Sequence, residues 1–136
     1  MIQMFNSPSI GRAPSGAASG VKITGGAVVL MSGQVAWNSE GEVVGEGDIE
    51  TQTRVAFDNV RKVLELAGAK LEDVAKFNFY LTSLDQRSTV LKVRDEVMGS
   101  HRPPSTTIVV ASLVDSKLLI EIDCVAIIPE AEARSF

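Results

Sequence analysis

Two β-branched runs constrain this chain more than any other feature. Ser105 to Leu113 reads Ser-Thr-Thr-Ile-Val-Val-Ala-Ser-Leu, and Lys117 to Ile128 reads Lys-Leu-Leu-Ile-Glu-Ile-Asp-Cys-Val-Ala-Ile-Ile. Branched side chains pack well on a pleated surface, so both runs read as strands, joined hairpin-fashion by the turn between them. The second run places Glu121 and Asp123 on one face of an otherwise apolar strand. An ionised carboxylate among apolar neighbours costs free energy unless water or a partner satisfies it. That face therefore either meets solvent or lines a site.

The remaining pattern tells what packs against these strands. Val21–Thr24 and Ala27–Met31 read as a hairpin turned by Gly25-Gly26. Ser32-Gly33-Gln34 then leads into Val35-Ala36-Trp37, and a glycine inside such a run marks a bulge or a close backbone approach. Asp48 caps a helix whose apolar face is Phe57, Val60, Leu64 and Ala67, and Gly68 ends it. Lys76–Thr82 alternates strictly: Phe77, Phe79 and Leu81 face one way, Asn78, Tyr80 and Thr82 the other. A second helix is predicted over 85–98, with Val90, Val93 and Val97 inward and Gly99 at its end. The expected fold is α+β: hairpin, helix, strand, helix, two strands, with both helices on one face of a mixed sheet. The other sheet face then carries Asn78, Tyr80, Glu121 and Asp123 beside Val125 and Ile127, a composition suited to subunit contact with wet clefts. Residues 6–20 are rich in Gly, Pro, Ser and Ala and read as loop, either a surface linker or a strap over a cleft.

Size and charge narrow the functions. At 136 residues the chain is read as a single domain, 1–136, with 1–20 as its N-terminal loop and strand region. A net charge of −4 without a Lys/Arg cluster disfavours nucleic acid and a polybasic membrane contact. No apolar run approaches a membrane span, and the N-terminus lacks a basic, then apolar, leader; the expected location is cytoplasmic. One Cys and one His cannot build a Cys/His zinc centre, so no metal is expected, and Cys124 is read as a small core hydrophobe. His101 lies in a Pro-rich loop with no nucleophile motif beside it, which argues against triad chemistry. No glycine-rich phosphate cradle stands between a strand and a helix. Glu121 and Asp123 remain as an acid–base pair or as exposed alternation.

Three segments together resemble the Rid family, also called the YjgF or L-PSP family. They are Ser32-Gly33-Gln34 after an apolar strand; Phe57-Asp58-Asn59-Val60 leading to Ala67-Gly68-Ala69; and Arg102-Pro103-Pro104 leading to Val110-Ala111-Ser112-Leu113 and Ile120-Glu121-Ile122. The likeness spans about residues 13–128, and the element order agrees. It implies a chorismate-mutase-like homotrimer with clefts between subunits, no cofactor, and a small-molecule metabolite as ligand. The implied reaction is hydrolysis of reactive enamines and imines to 2-oxo acids and ammonia; some relatives are called ribonucleases or translation inhibitors. Glu121 matches the family's water-orienting Glu, and Ser32 and Gly33 its strand-end backbone site. Where archetypal members carry a substrate-binding Arg, this chain has Ser105. The archetypal loop Tyr falls near Ser19 and the second-helix Asn near Leu91. Arg102 and Arg12 are the candidate replacement cations, and Trp37 and Tyr80 candidate aromatic walls. The alternative function is a trimer that holds a metabolite without turning it over.

Overall fold

A computed structural model describes residues 1–11 and 16–130. Arg12 lies outside the described residues. The elements are β1 (Ile2–Phe5), β2 (Gly20–Ile23), β3 (Ala27–Leu30), β4 (Gln34–Val35), α1 (Ile49–Leu66), β5 (Val74–Leu81), α2 (Arg87–Met98), β6 (Ser105–Val109) and β7 (Ile120–Ile128). The main sheet runs β3-β7-β5-β6, with β4 also on β7. It is mixed: β5 and β6 are parallel and the other pairs antiparallel.

The core forms where the two periodicities meet. Ile120, Ile122, Cys124, Ala126 and Ile128 line the inner face of β7, next to Phe77, Phe79 and Leu81 of β5. Against them pack Ala56, Phe57, Val60 and Leu64 of α1 and Val90, Val93 and Met98 of α2. Phe57 meets Phe77 edge-on, with ring centroids 5.8 Å apart. Buried aromatic pairs of this kind add specificity to area burial. Asp48 caps α1 as expected: one carboxylate oxygen accepts the Thr51 N–H at 3.1 Å and the other the Thr51 hydroxyl at 2.7 Å. Gly68 follows the last turn at φ 78°.

Two strand pairings differ from the sequence expectation. Val21–Thr24 and Ala27–Met31 do not form a hairpin with each other: β2 pairs with β1, and β3 with β7. The glycine pair does turn the chain. An ideal Cβ on Gly26 would stand 2.6 Å from the Ile128 carbonyl oxygen, so only glycine lets the turn lie on the end of β7. Val29 and Met31 then reach the core, which pairing with β2 would not provide. The turn also covers Ile127, which is buried although it shares the outer face of β7. The second difference is that β6 and β7 are not neighbours. β6 stops at Val109, β7 starts at Ile120, and β5 lies between them. The central place goes to the strand whose inner face is most completely apolar, and β6, with Thr106, Thr107, Ile108 and Val109 exposed, takes the edge.

Two polar side chains of α1, Gln52 buried and Asn59 half-buried, fix the ends of these strands. The Gln52 amide donates to the carbonyls of Lys117 (2.9 Å) and Gly45 (3.2 Å), and its oxygen accepts the Leu119 N–H at 2.8 Å. Two turns further along, Asn59 Nδ2 donates to the carbonyls of Val35 (2.8 Å) and Trp37 (3.0 Å). Gln52 is fully buried, so a truncation there leaves backbone groups without partners. Gln52→Leu is expected to lower unfolding free energy by ~2–3 kcal/mol, read by urea denaturation.

Candidate functional site

The outer sheet face takes its shape from register. β5 sets Tyr80 opposite Glu121 and Asn78 opposite Asp123, and β4 sets Val35 against Glu121 from the other side. In β6, Thr106 and Ile108 stand beside Asn78 and Tyr80 on the same face. β3 adds Val28 and Leu30, 62% and 74% exposed.

Glu121 is the one carboxylate of this face left free. Among the described residues no hydrogen bond or ion pair reaches it. Burial, and then the charge of Asp123, push its proton affinity above the ordinary glutamate value. Its carboxylate rests against Gly33, where an ideal Cβ would stand 2.6 Å from Glu121 Cδ. The glycine of the Ser-Gly-Gln segment is thus a close backbone approach, one of the two sequence readings. Ser32 is exposed, and its carbonyl accepts from Gln34 Nε2 at 3.0 Å.

Asp123, by contrast, is fully engaged. Asn78 Nδ2 donates to one oxygen at 2.8 Å and the Tyr80 hydroxyl to the other at 3.0 Å. That hydrogen bond, then burial and the nearby carboxylates, raise the Tyr80 phenol above its usual value, so it stays a donor. Cys124 turns inward, with Sγ 3.8 Å from Met31 Sδ. Burial and then Asp123 push its thiol up to about 12, so it packs rather than reacts.

Other candidates are not brought to Glu121. Arg102 is spent at the C-terminal end of α2. Its Nη1 donates to the carbonyls of Gly99 and His101, and its Nη2 lies 3.3 Å from Asp95 Oδ1. Within the protomer, the orphan carbonyls of a helix end and an acidic neighbour are its partners, and it is not brought to Glu121. Ser105 registers with Phe77, three positions from Tyr80 and on the opposite sheet face, so one protomer does not join it to Glu121. Trp37 is 39% exposed and lines a separate hollow of about 360 Å³ with Gln34, Asn38, Ser39, Asn59 and Lys62. His101 Nε2 bonds the Val74 carbonyl at 2.8 Å, a structural role. Sequence reasoning missed the clamps Gln52 and Asn59; a buried Gln on the inner side of a capped helix was the available signal.

The family model of endoribonuclease L-PSP matches residues 12–128. The chain belongs to the Rid (YjgF, L-PSP) family. A RutC family protein of Pyrococcus abyssi is 34% identical over 102 residues, 74% of this chain and 79% of that protein. A protein of Dermatophagoides farinae named 2-iminobutanoate/2-iminopropanoate deaminase is 30% identical over 103 residues, 76% of this chain and 80% of its own length. Among solved structures, a Rid-family protein of unknown function from Yersinia pestis superposes with a TM-score of 0.85 at 29% identity, covering 93% of this chain and 98% of that one. The two helices on a mixed sheet are therefore the Rid fold. Among the described residues no helix is long and apolar enough to cross a membrane.

The raised proton affinity of Glu121 has a stability consequence. A carboxyl whose folded value exceeds its unfolded one contributes stability below the unfolded value and loses it as pH rises through the folded one. Glu121→Gln is therefore expected to melt higher than the parent at pH 7. The difference should shrink toward zero below the ordinary glutamate value of 4.5, as read by thermal melts across pH.

Proposed function

We propose that the protein is a Rid-type enamine/imine deaminase acting on a small unsaturated amino or imino compound, with Glu121 directing water. The observation that carries this reading is the unpaired Glu121 carboxylate, seated against Gly33, with its proton affinity raised by burial. A carboxylate whose proton affinity is raised in this way is a stronger base than an ordinary glutamate, able to take a proton from water and return it. Water adds to the carbon of the C=N bond while Glu121 accepts its proton. Glu121 delivers that proton to the nitrogen, giving a carbinolamine; it then takes the hydroxyl proton and passes it to the same nitrogen, the C–N bond breaks, the oxygen forms the carbonyl and ammonia leaves. Backbone groups of Ser32 and Gly33 orient the substrate. The Tyr80 ring supplies a wall. Trp37 and Arg102 stand at more distant sites.

The same reading includes a homotrimer with a single domain per chain. Val28, Leu30 and Ile108 expose apolar surface on the sheet face that carries the site. A neighbouring copy laid on that face would bring its own edge strand, and with it Ser105, toward Glu121. Leu30→Asp is expected to leave the protomer folded, because Leu30 is 74% exposed, and to convert a trimer to monomer in light scattering. A parent protein that is already monomeric overturns the trimer.

Ammonia release from 2-iminopropanoate, from aminomuconate-type enamines and from uncharged imines tests the activity. Turnover is expected to fall by ~10²–10⁴ in Glu121→Gln. Unchanged release in that variant removes Glu121 from its role, and absence of turnover across the panel refutes the enzyme. A second reading, a metabolite-binding trimer without turnover, has its own support: Asp123 is the charged group acting on Glu121, Arg102 is engaged elsewhere, and Ser105 is neutral. A charge-assisted bond from arginine to a substrate carboxylate contributes roughly 1.5–3 kcal/mol, so its loss weakens the usual 2-imino acids. Thermal shift by amino, oxo or aromatic acids without any ammonia release decides for this second reading.

A further inference from the structure

The two carboxylates of the outer face are treated unequally. They stand two residues apart on one strand, roughly 7 Å by strand geometry. Tyr80 is registered opposite Glu121, yet its hydroxyl reaches diagonally past Glu121 to Asp123. Asn78, opposite Asp123, fills the other oxygen. Both donors of β5 therefore serve Asp123, and none serves Glu121. When neighbouring acids have environments this different, they take different roles in proton transfer.

We propose that Asp123 is a positioning residue for Glu121: Asn78 and Tyr80 clamp it as a fixed anion on the same strand face, where it biases Glu121 toward taking up a proton. This deepens the deaminase reading and rests on it for its catalytic meaning. Few other charged groups share the face. Lys76 of β5 stands opposite Val125 and donates to Thr106 Oγ1 at 2.7 Å. Tyr80 is the titratable group directly across from Glu121. The neighbouring positions Val28 and Leu30 of β3, Gly33 and Gln34 before and in β4, and Thr106 and Ile108 of β6 carry no charge. The raised proton affinity of Glu121, caused first by burial and second by Asp123, agrees with the arrangement.

The clamp acts by direction as well as charge. A carboxylate held at both oxygens cannot swing toward solvent, so its field on Glu121 is constant. Asp123→Asn removes the charge and keeps the size. Tyr80→Phe keeps the charge and releases one oxygen.

The test is a carbon-13 NMR titration of the Glu121 carboxyl in the full chain, which needs no substrate. Asp123→Asn is expected to lower the Glu121 midpoint by about half a pH unit or more. Tyr80→Phe should lower it by less, and should add nothing in the Asp123→Asn background, because it acts through Asp123. Where turnover is measured, the acidic limb of kcat/KM should move to lower pH by the same amount in Asp123→Asn. An unmoved midpoint in natively folded Asp123→Asn overturns the proposal; if that variant does not fold, an unmoved midpoint in Tyr80→Phe does so. A shifted midpoint with no turnover on any imine refutes the deaminase reading and leaves the positioning role standing. Turnover with an unshifted midpoint refutes the positioning role alone.

Discussion

The alternation of β7 is the constraint on which the rest depends. The strand is hydrogen-bonded on both sides, to β3 and β4 along one edge and to β5 along the other. Its inner residues make the floor of the core, and its outer residues include Glu121 and Asp123. A slip of one residue would turn every side chain to the wrong face. It would bury both carboxylates against Phe57 and Phe79 and expose Ile120 and Ile122. Core and site are thus specified by one register, and burial of the isoleucines holds the acids outward.

Helix α1 protects that register. Gln52 and Asn59, two turns apart, grip the backbone just before β7 and along β4. These segments meet at Glu121, since Val35 is its partner in β4. The helix that supplies the core with Phe57 and Val60 therefore also aligns the two backbones that meet at the candidate base. Both grips are side chain to backbone bonds, and the Gln52 grip is fully buried, so its loss would cost partners as well as contacts.

The site itself runs against stability. A free, partly buried carboxylate beside a second acid is unfavourable, and the fold retains it where a solvating or neutralising partner would be easy to add. Tyr80 could have donated to Glu121 and instead donates to Asp123. Such unevenness between adjacent acids is the kind of local cost that functional sites carry.

The sequence by itself determined both helices, the inner face of β5, and the outward placement of Glu121, Asp123, Asn78 and Tyr80. These follow from local period and capping, which each segment contains alone. Only the tertiary structure decided which strands pair. Val21–Thr24 left its neighbour for β1, and β5 came between β6 and β7, because pairing is chosen by competition for the most apolar partner across the whole chain. It also decided where long side chains go. Arg102 and Ser105 are three residues apart in the sequence, yet Arg102 turns to the carbonyls ending α2 and Ser105, at the start of β6, to the core-side row of Phe77. A flexible cation goes to its nearest acceptors, and those acceptors are set by packing that no local pattern encodes.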